Sequence, residues 1–289
     1  GDNSKGEIGN GKNNSTKVTM PVQIEKENII DIAAGYYYNL AVDSNGDVYS
    51  WGYNGYGNLG DGTTEDKNVP TKIEGLTDIK KVHITDKTSI AINENGEIYI
   101  WGQGYTNKPQ KVNFYGKAIQ ATKKLILAED GTVWYLNENP SRITGLSNIV
   151  QIASTGNYYI VLTSKGDVYG WGYNRYGQLG QGTYSSLSGL VKIPVKNVVE
   201  MATGGDTVLL TTKEGNVYSC GYNSYGQLGI GDNVTKTSPT KVTDIENAID
   251  VSVGYYDTVV VKQDGTVWAF GNNSNGQLGD GTSSNRVNP

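Results

Sequence analysis

One short pattern recurs six times along the chain: a glycine turn followed by an apolar and aromatic strand. It reads Asp43-Ser-Asn-Gly-Asp-Val-Tyr-Ser-Trp-Gly52, Gly96-Glu-Ile-Tyr-Ile-Trp-Gly102, Gly131-Thr-Val-Trp134, Gly166-Asp-Val-Tyr-Gly-Trp-Gly172, Gly215-Asn-Val-Tyr-Ser-Cys-Gly221 and Gly265-Thr-Val-Trp-Ala-Phe-Gly271. Its leading glycines, Gly46, Gly96, Gly131, Gly166, Gly215 and Gly265, are 50, 35, 35, 49 and 50 residues apart. Self-similarity at this period means one supersecondary unit stacked on copies of itself. Residues 1–289 are therefore expected to form a single repeat domain.

Each full repeat contains four strand-like pieces. In the first they are Pro70–Ile73, or its earlier counterpart Pro21–Ile24, then Ile29–Ala33, Asn39–Asp43 and Asp47–Trp51. The last two are joined through Asn45-Gly46, which supplies the positive φ a tight hairpin needs. No segment shows sustained helical periodicity. Along Asp47–Trp51, Tyr49 and Trp51 point to one side, and Val48 and Ser50 to the other. The small side recurs at Gly170, Ser219 and Ala269, and the large side at Tyr169 with Trp171 and at Trp268 with Phe270. A large face beside a small one lets like sheets stack. The expected fold is an all-β propeller of four-stranded blades, six by count, or seven if the chain is part of a longer array.

A second signature follows the first: Trp51-Gly-Tyr-Asn-Gly-Tyr-Gly-Asn-Leu-Gly-Asp-Gly62, with copies at 171–182, 221–231 and 271–281 and a degenerate copy at Asn3–Gly11. With the preceding Gly-x-Val-Tyr-x-Trp-Gly, it resembles the repeat of the regulator-of-chromosome-condensation family, over essentially the whole chain. That resemblance implies fold more than function. It departs from the family in blade count and in the loop histidine, whose place is taken by Tyr38, Thr88, Lys123, Tyr158, Thr207 and Asp257. The eukaryotic namesake exchanges nucleotide on a small GTPase and touches chromatin. That role fits poorly here, with no basic tail and no long insertion that could act as a wedge. Bacterial relatives include a secreted propeller that inhibits β-lactamases, and the form of this chain is similar.

Charge and composition narrow the function. Asp plus Glu is 29 against 24 for Lys plus Arg, a formal charge of −5. Nucleic acids and anionic membranes need a basic footprint, so neither is an expected partner. No apolar run approaches the roughly 20 residues of a spanning helix. One Cys (Cys220) and one His (His83) leave no disulfide framework and no multi-histidine metal site. No catalytic residue, metal or cofactor is expected. His83 lies in the strand-like Ile79–Ile84 and reads as structural, since a general base needs a nucleophile within reach. The glycine loops lack the Lys-Ser/Thr and helix of a phosphate cradle. Asp43–Asp47 lacks the distal glutamate of a calcium loop, so it reads as a hairpin turn. Cys220, in the tryptophan position, reads as a buried thiol.

Among 21 tyrosines, those between the second and third strand-like pieces stand out: Gly35-Tyr-Tyr-Tyr38, Gly156-Asn-Tyr-Tyr159 and Gly254-Tyr-Tyr-Asp257. Tyrosine offers large amphipathic area at low entropic cost, as in antibody paratopes. Tyr38 and Tyr158 are expected to tuck between blades. Tyr36, Tyr37, Tyr255 and Tyr256 are the candidate partner-binding residues. If repeat six lies beside repeat one they form a single patch, with Asn157 and Asp206 as its polar rim. After Trp101 and Trp134 the Gly-Gln-Leu-Gly loop is missing, which leaves a barer stretch.

The leading expectation is a monomeric, non-enzymatic bacterial propeller, secreted or surface-attached, that binds a protein partner, as an inhibitor or otherwise, through a tyrosine-rich loop face. A carbohydrate-binding surface propeller is the alternative, and an enzyme the least favoured. Protein binding calls for a flat aromatic patch of about 800 Å². Sugar binding calls for separate pockets, each with an aromatic residue beside Asp or Asn.

Overall fold

The computed structural model describes residues 1–13 and 17–289. Among them there are only strands, turns and loops, with no helix. The strands form six antiparallel sheets, the blades of a β-propeller. Blade 1 is β1 (Ile29–Ala34), β2 (Tyr38–Asp43), β3 (Val48–Gly52) and β4 (Lys67–Lys72). Blade 2 is β5 (Ile79–Thr85), β6 (Thr88–Asn93), β7 (Ile98–Gly102) and β8 (Gln110–Lys111). Blade 3 is β9 (Ala118–Ala121), β10 (Leu125–Ala128), β11 (Val133–Tyr135) and β12 (Ser141–Arg142). Blade 4 is β13 (Ile149–Thr155), β14 (Tyr158–Thr163), β15 (Val168–Gly172) and β16 (Leu187–Ile193). Blade 5 is β17 (Val198–Gly204), β18 (Thr207–Thr212), β19 (Val217–Gly221) and β20 (Lys236–Lys241). Blade 6 is β21 (Ala248–Val253), β22 (Asp257–Lys262) and β23 (Val267–Gly271), with the bridge Gly271–Arg286 where its sisters begin a fourth strand.

The blades fall into two compact units, Gly1–Ser147 with blades 1–3 and Asn148–Pro289 with blades 4–6. In blade 1 the fourth strand contains Pro70 and pairs with β3, Tyr49 opposite Lys72 and Ser50 opposite Thr71. The earlier counterpart, Pro21–Ile24, forms no strand. The Asp43–Asp47 turn is a hairpin: the Asp43 carboxylate accepts the backbone N–H groups of Asn45 (2.9 Å) and Asp47 (3.1 Å).

Consecutive blades within a unit share a core. Leu40, Val42 and Val48 of blade 1 pack with Ile79, Val82, Ala91 and Trp101 of blade 2. Blades 4 and 5 meet through Ile160, Leu162, Val168, Met201, Val208 and Leu210. The expected large-into-small packing is present. Trp101 is fully buried, and its indole donates to the carbonyl of Asn58 in the loop of blade 1 at 3.0 Å. Ser50, on the small side of blade 1, donates to Leu59 O of the same loop at 2.8 Å. Trp51 makes the matching bond to Glu7 O at 3.0 Å, so Asn3–Gly11 acts on blade 1 as a repeat loop does. In blade 5 the thiol of Cys220 lies 3.4 Å from Gln178 O and fills the indole's place. Burial pushes that thiol up to about 12, so it stays protonated. Trp134 departs from the pattern. It stands in the register of Tyr49, and Leu136 takes the buried tryptophan position.

Candidate functional site

Two loops in each of blades 1, 4, 5 and 6 build the candidate site: the turn between the first two strands and the long loop after the third. A repeated backbone bond pins one to the other. The carbonyl at Tyr37, Asn157, Asp206 or Tyr256 accepts the N–H of Tyr53, Tyr173, Tyr222 or Asn272, at 2.8–3.0 Å. The long loop is rigid because a buried asparagine braces it. Asn54 accepts from Leu59 N at 2.9 Å and donates to Asp61 and Thr63, and Asn174, Asn223 and Asn273 accept in the same way from Leu179, Leu228 and Leu278. Loop tyrosines are thus held beside turn tyrosines before any partner arrives.

In the first unit Tyr36 packs edge-on against Tyr37 at 4.2 Å between ring centroids. Tyr37 meets Tyr53 at 6.3 Å, and Tyr53 meets Tyr56 at 6.0 Å. Lys87 lies over Tyr56 at 4.3 Å, a cation–π contact. A hydrogen bond with Tyr36, helped by burial, holds the Tyr37 phenol up at about 12. Tyr36 is 53% exposed and Tyr37 is half-buried.

In the second unit the cluster is larger. Tyr256 contacts Tyr255 (4.6 Å), Tyr225 (4.6 Å) and Tyr222 (5.9 Å), and Tyr222 contacts Tyr176 (4.9 Å). Arg175 caps it, over Tyr176 at 5.0 Å and Tyr173 at 5.7 Å. One aromatic surface therefore runs across the loops of blades 4, 5 and 6. Tyr255 is 53% exposed, whereas Tyr256 is half-buried among its neighbours. Asn157 is exposed. Asp206 is half-buried, accepts from Gln178 Nε2 at 2.9 Å, and is held above the ordinary carboxylate range by burial, against the opposing charge of Arg175.

Tyr38 and Tyr158 are buried between blades, as the sequence leads one to expect. Tyr38 donates to Ser89 Oγ at 3.1 Å, whose own proton goes to Asn58 O at 2.7 Å, and Tyr158 donates to Thr207 O at 3.2 Å. His83 is half-buried in β5 and burial holds it down at about 4, so it is neutral at pH 7. Sequence reasoning missed Tyr53, Tyr56, Tyr176, Tyr222 and Tyr225. Their signal is present, because the second and fifth positions after the strand tryptophan or cysteine are both tyrosine in the three long loops of blades 1, 4 and 5. The glycines of that motif stand out as turn punctuation and mask the tyrosines between them.

The profile of the RCC1-like domain matches residues 1–289, the whole chain. The chain is a member of the RCC1-like domain family. It is 31% identical to the ultraviolet-B receptor UVR8 of Arabidopsis thaliana over 63% of this chain and 38% of that protein. It is 29% identical to the human E3 ubiquitin-protein ligase HERC2 over 54% of this chain and 3% of that protein. The chain thus spans well under half the length of these curated relatives. Among solved structures, Prp20p from Saccharomyces cerevisiae, described with its binding properties to Gsp1p and histones, superposes with a TM-score of 0.85. It is 25% identical, over all of this chain and 84% of that one. Yeast RCC1 (Prp20) bound to Kap60 gives 0.86 at 24% identity over all of this chain and 81% of that one. This RCC1-like chain has tyrosine or threonine at several positions where the family pattern has its loop histidine, and Tyr38, Tyr158, Thr88 and Thr207 there are all buried.

Asp257 occupies the same position and carries a cost. Burial raises its carboxyl to about 6 from an ordinary 3.8. Between those values the folded chain holds a proton that the unfolded chain has released, so stability falls as pH rises from 3.8 to about 6. Thr88 and Thr207 instead donate to Gln103 O (3.0 Å) and Tyr222 O (2.9 Å). Asp257→Thr should therefore raise the unfolding free energy by about 2 kcal/mol at pH 8 and leave it nearly unchanged below pH 4. That figure takes about 1.4 kcal/mol for each tenfold change in proton affinity, less some solvent screening. Urea denaturation at the two pH values checks this. Equal effects at both would show that the carboxylate is not destabilising.

Proposed function

We propose that the protein is a non-enzymatic, monomeric binding propeller that captures a protein partner, as an inhibitor or otherwise, through its tyrosine loop face in a secreted or surface-attached setting. The observation that carries this reading is the continuous surface of Tyr176, Tyr222, Tyr225, Tyr256 and Tyr255 with Arg175 at its margin. Tyr and Arg are the residue types that dominate binding hot spots, and these are braced in advance by backbone and asparagine bonds. Tyr36, Tyr37, Tyr53 and Tyr56 form the corresponding surface of the first unit. The description of Prp20p by its binding to Gsp1p and histones supports protein recognition as a use of this fold. The net charge of −5 argues against nucleic acid. A single cysteine, buried and protonated, is compatible with an oxidising compartment.

The test is affinity and stability measured on the same variants, with a partner captured from the native milieu and then purified. Tyr256→Ala should weaken binding at least tenfold, roughly 1.4 kcal/mol, because it removes the ring on which three others rest. Tyr36→Ala should weaken binding while changing stability by less than about 0.5 kcal/mol, since it is exposed. Asn157→Ala, at the polar margin, should change little. Unchanged affinity in both tyrosine variants would move the site elsewhere.

A further inference from the structure

Blade 3 departs from the full repeat in three places, two of which, the two-residue outer strand and the short loop before it, it shares with blade 2, whose β8 is Gln110–Lys111 after a loop of residues 103–109. Its outer strand β12 has two residues where β4, β16 and β20 have six or seven. Its β11–β12 loop, residues 136–140, replaces a long loop such as 53–66. The connector entering it reads Asn113-Phe-Tyr-Gly-Lys117, and Tyr115 stands where the sister connectors place Leu76, Leu146 and Ile245. Those three are buried at 0–6% exposure, whereas Tyr115 is 94% exposed. A core position has become a projecting aromatic.

Together these changes open a cleft of about 420 Å³ on the flank of blade 3, within the range of small-molecule sites. Trp134 and Tyr115 are its aromatic walls, and Phe114 sits edge-on to Trp134 at 5.6 Å. The indole is locked in place. Its Nε1 donates to Thr132 Oγ1 at 2.9 Å, and Thr132 in turn donates through Oγ1 (2.6 Å) and its backbone N–H (3.0 Å) to Asp130 Oδ1. Those bonds hold the Asp130 carboxyl below its ordinary range and use one oxygen, which leaves Oδ2 as an acceptor. The amides of Asn113 and Asn139 also line the cleft. Lys117, the cation among the lining residues, is spent on Glu129 at 2.8 Å, and Arg142, opposite Trp134 in the sheet, offsets the charge of Asp130, so the cleft offers no uncommitted cation to a phosphate or carboxylate. A neutral ligand with one apolar face and several hydroxyl donors fits the walls and the acceptors.

We propose that this cleft binds an equatorially linked (β-1,4) pyranose saccharide, stacked on Trp134 and Tyr115, with its hydroxyls bonded to Asp130, Asn113 and Asn139. Such a sugar presents a flat face of axial C–H groups to an aromatic ring and directs its hydroxyls outward. The site is separate from the tyrosine face and stands or falls independently of it. Blade 6 supplies an internal control: Trp268 is locked by the same Asp264–Thr266 arrangement, with Nε1 to Thr266 Oγ1 at 3.1 Å.

Calorimetric titration of the full chain with cellotriose and with chitotriose tests this, with the indole N–H signal of Trp134 followed by NMR. At least one trisaccharide should bind one to one and shift that signal. Trp134→Ala and Tyr115→Ala should each weaken binding tenfold or more, and Trp268→Ala should leave it unchanged. Tyr115→Ala keeps the test valid if Trp134→Ala does not fold, because Tyr115 is exposed. Failure of both trisaccharides to bind at millimolar concentration overturns the proposal, as does binding indifferent to Tyr115 and Trp134. A pentaproline peptide that shifts Trp134 while neither sugar does would assign the cleft to peptide recognition, and overturns it equally.

Discussion

Replacing Trp101 by alanine should destabilise the protein by about 3–5 kcal/mol, the range for a large aromatic truncated in a core. The ring is completely buried between blades 1 and 2, among Leu40, Val48, Ile73 and Val82. Collapse onto the void is limited because Gly60, in the loop of blade 1, is already in contact with the indole. The Asn58 carbonyl keeps its bond from Ser89 Oγ at 2.7 Å, so the loss comes mainly from packing rather than from a stranded acceptor. Trp268→Ala is the contrasting case. That ring is only half-buried, and about 1 kcal/mol is expected. Denaturant midpoints for the two variants check the difference, and equal losses would mean that the buried tryptophan is not what joins the blades.

Gly221→Ala should cost about 3 kcal/mol or more and should also damage the tyrosine surface. Gly221 has φ +107°, a conformation that an L side chain avoids. An added Cβ would lie 2.1 Å from the Asp206 carbonyl. That same carbonyl accepts Tyr222 N–H at 2.9 Å, the bond that sets the blade 5 loop against its turn. Strain there moves Tyr222, and with it the contact to Tyr256. Gly265→Ala separates conformational strain from collision, because Gly265 has φ +81° but nothing within 4 Å of the added atom. Its expected cost is about 1–2 kcal/mol, with no effect on partner binding. Comparable losses in the two variants would show that the Asp206 carbonyl can yield.

The fold is legible because the repeat states it six times. Val48, Ser50 and Trp51 announce a sheet with a small side and a large side, and Trp101 against Asn58 shows the same rule at work in three dimensions. Local departures are harder to read. Trp134 resembles one more strand tryptophan, yet Leu136 takes the buried position and leaves Trp134 in the tyrosine register, half-buried. Pro21–Ile24 has the composition of an outer strand, but pairing rather than composition makes a strand, and Lys67–Lys72 holds the position beside β3. Tyr36 and Tyr255 are recognisable as exposed because their turns repeat a buried tyrosine or its substitute two residues later. The loop tyrosines are not, because only the bond from Tyr53 N–H to Tyr37 O, and its copies, shows that residues 16 apart in sequence share one surface. Asp257 shows a further limit. Its identity is plain in the sequence, but the rise of its carboxyl to about 6 depends on burial that no spacing reveals.

Photo-crosslinking tests the central claim most directly, that the tyrosine loop face is where a protein partner docks. A benzoylphenylalanine placed at Tyr36 or at Tyr255, both 53% exposed, should give a covalent adduct with one protein of the native milieu on illumination. The same group at Val199 or Val267, both exposed but at the ends of their blades opposite the tyrosine turns, should give none. Adducts at Val199 or Val267 with none at Tyr36 and Tyr255 would contradict the account.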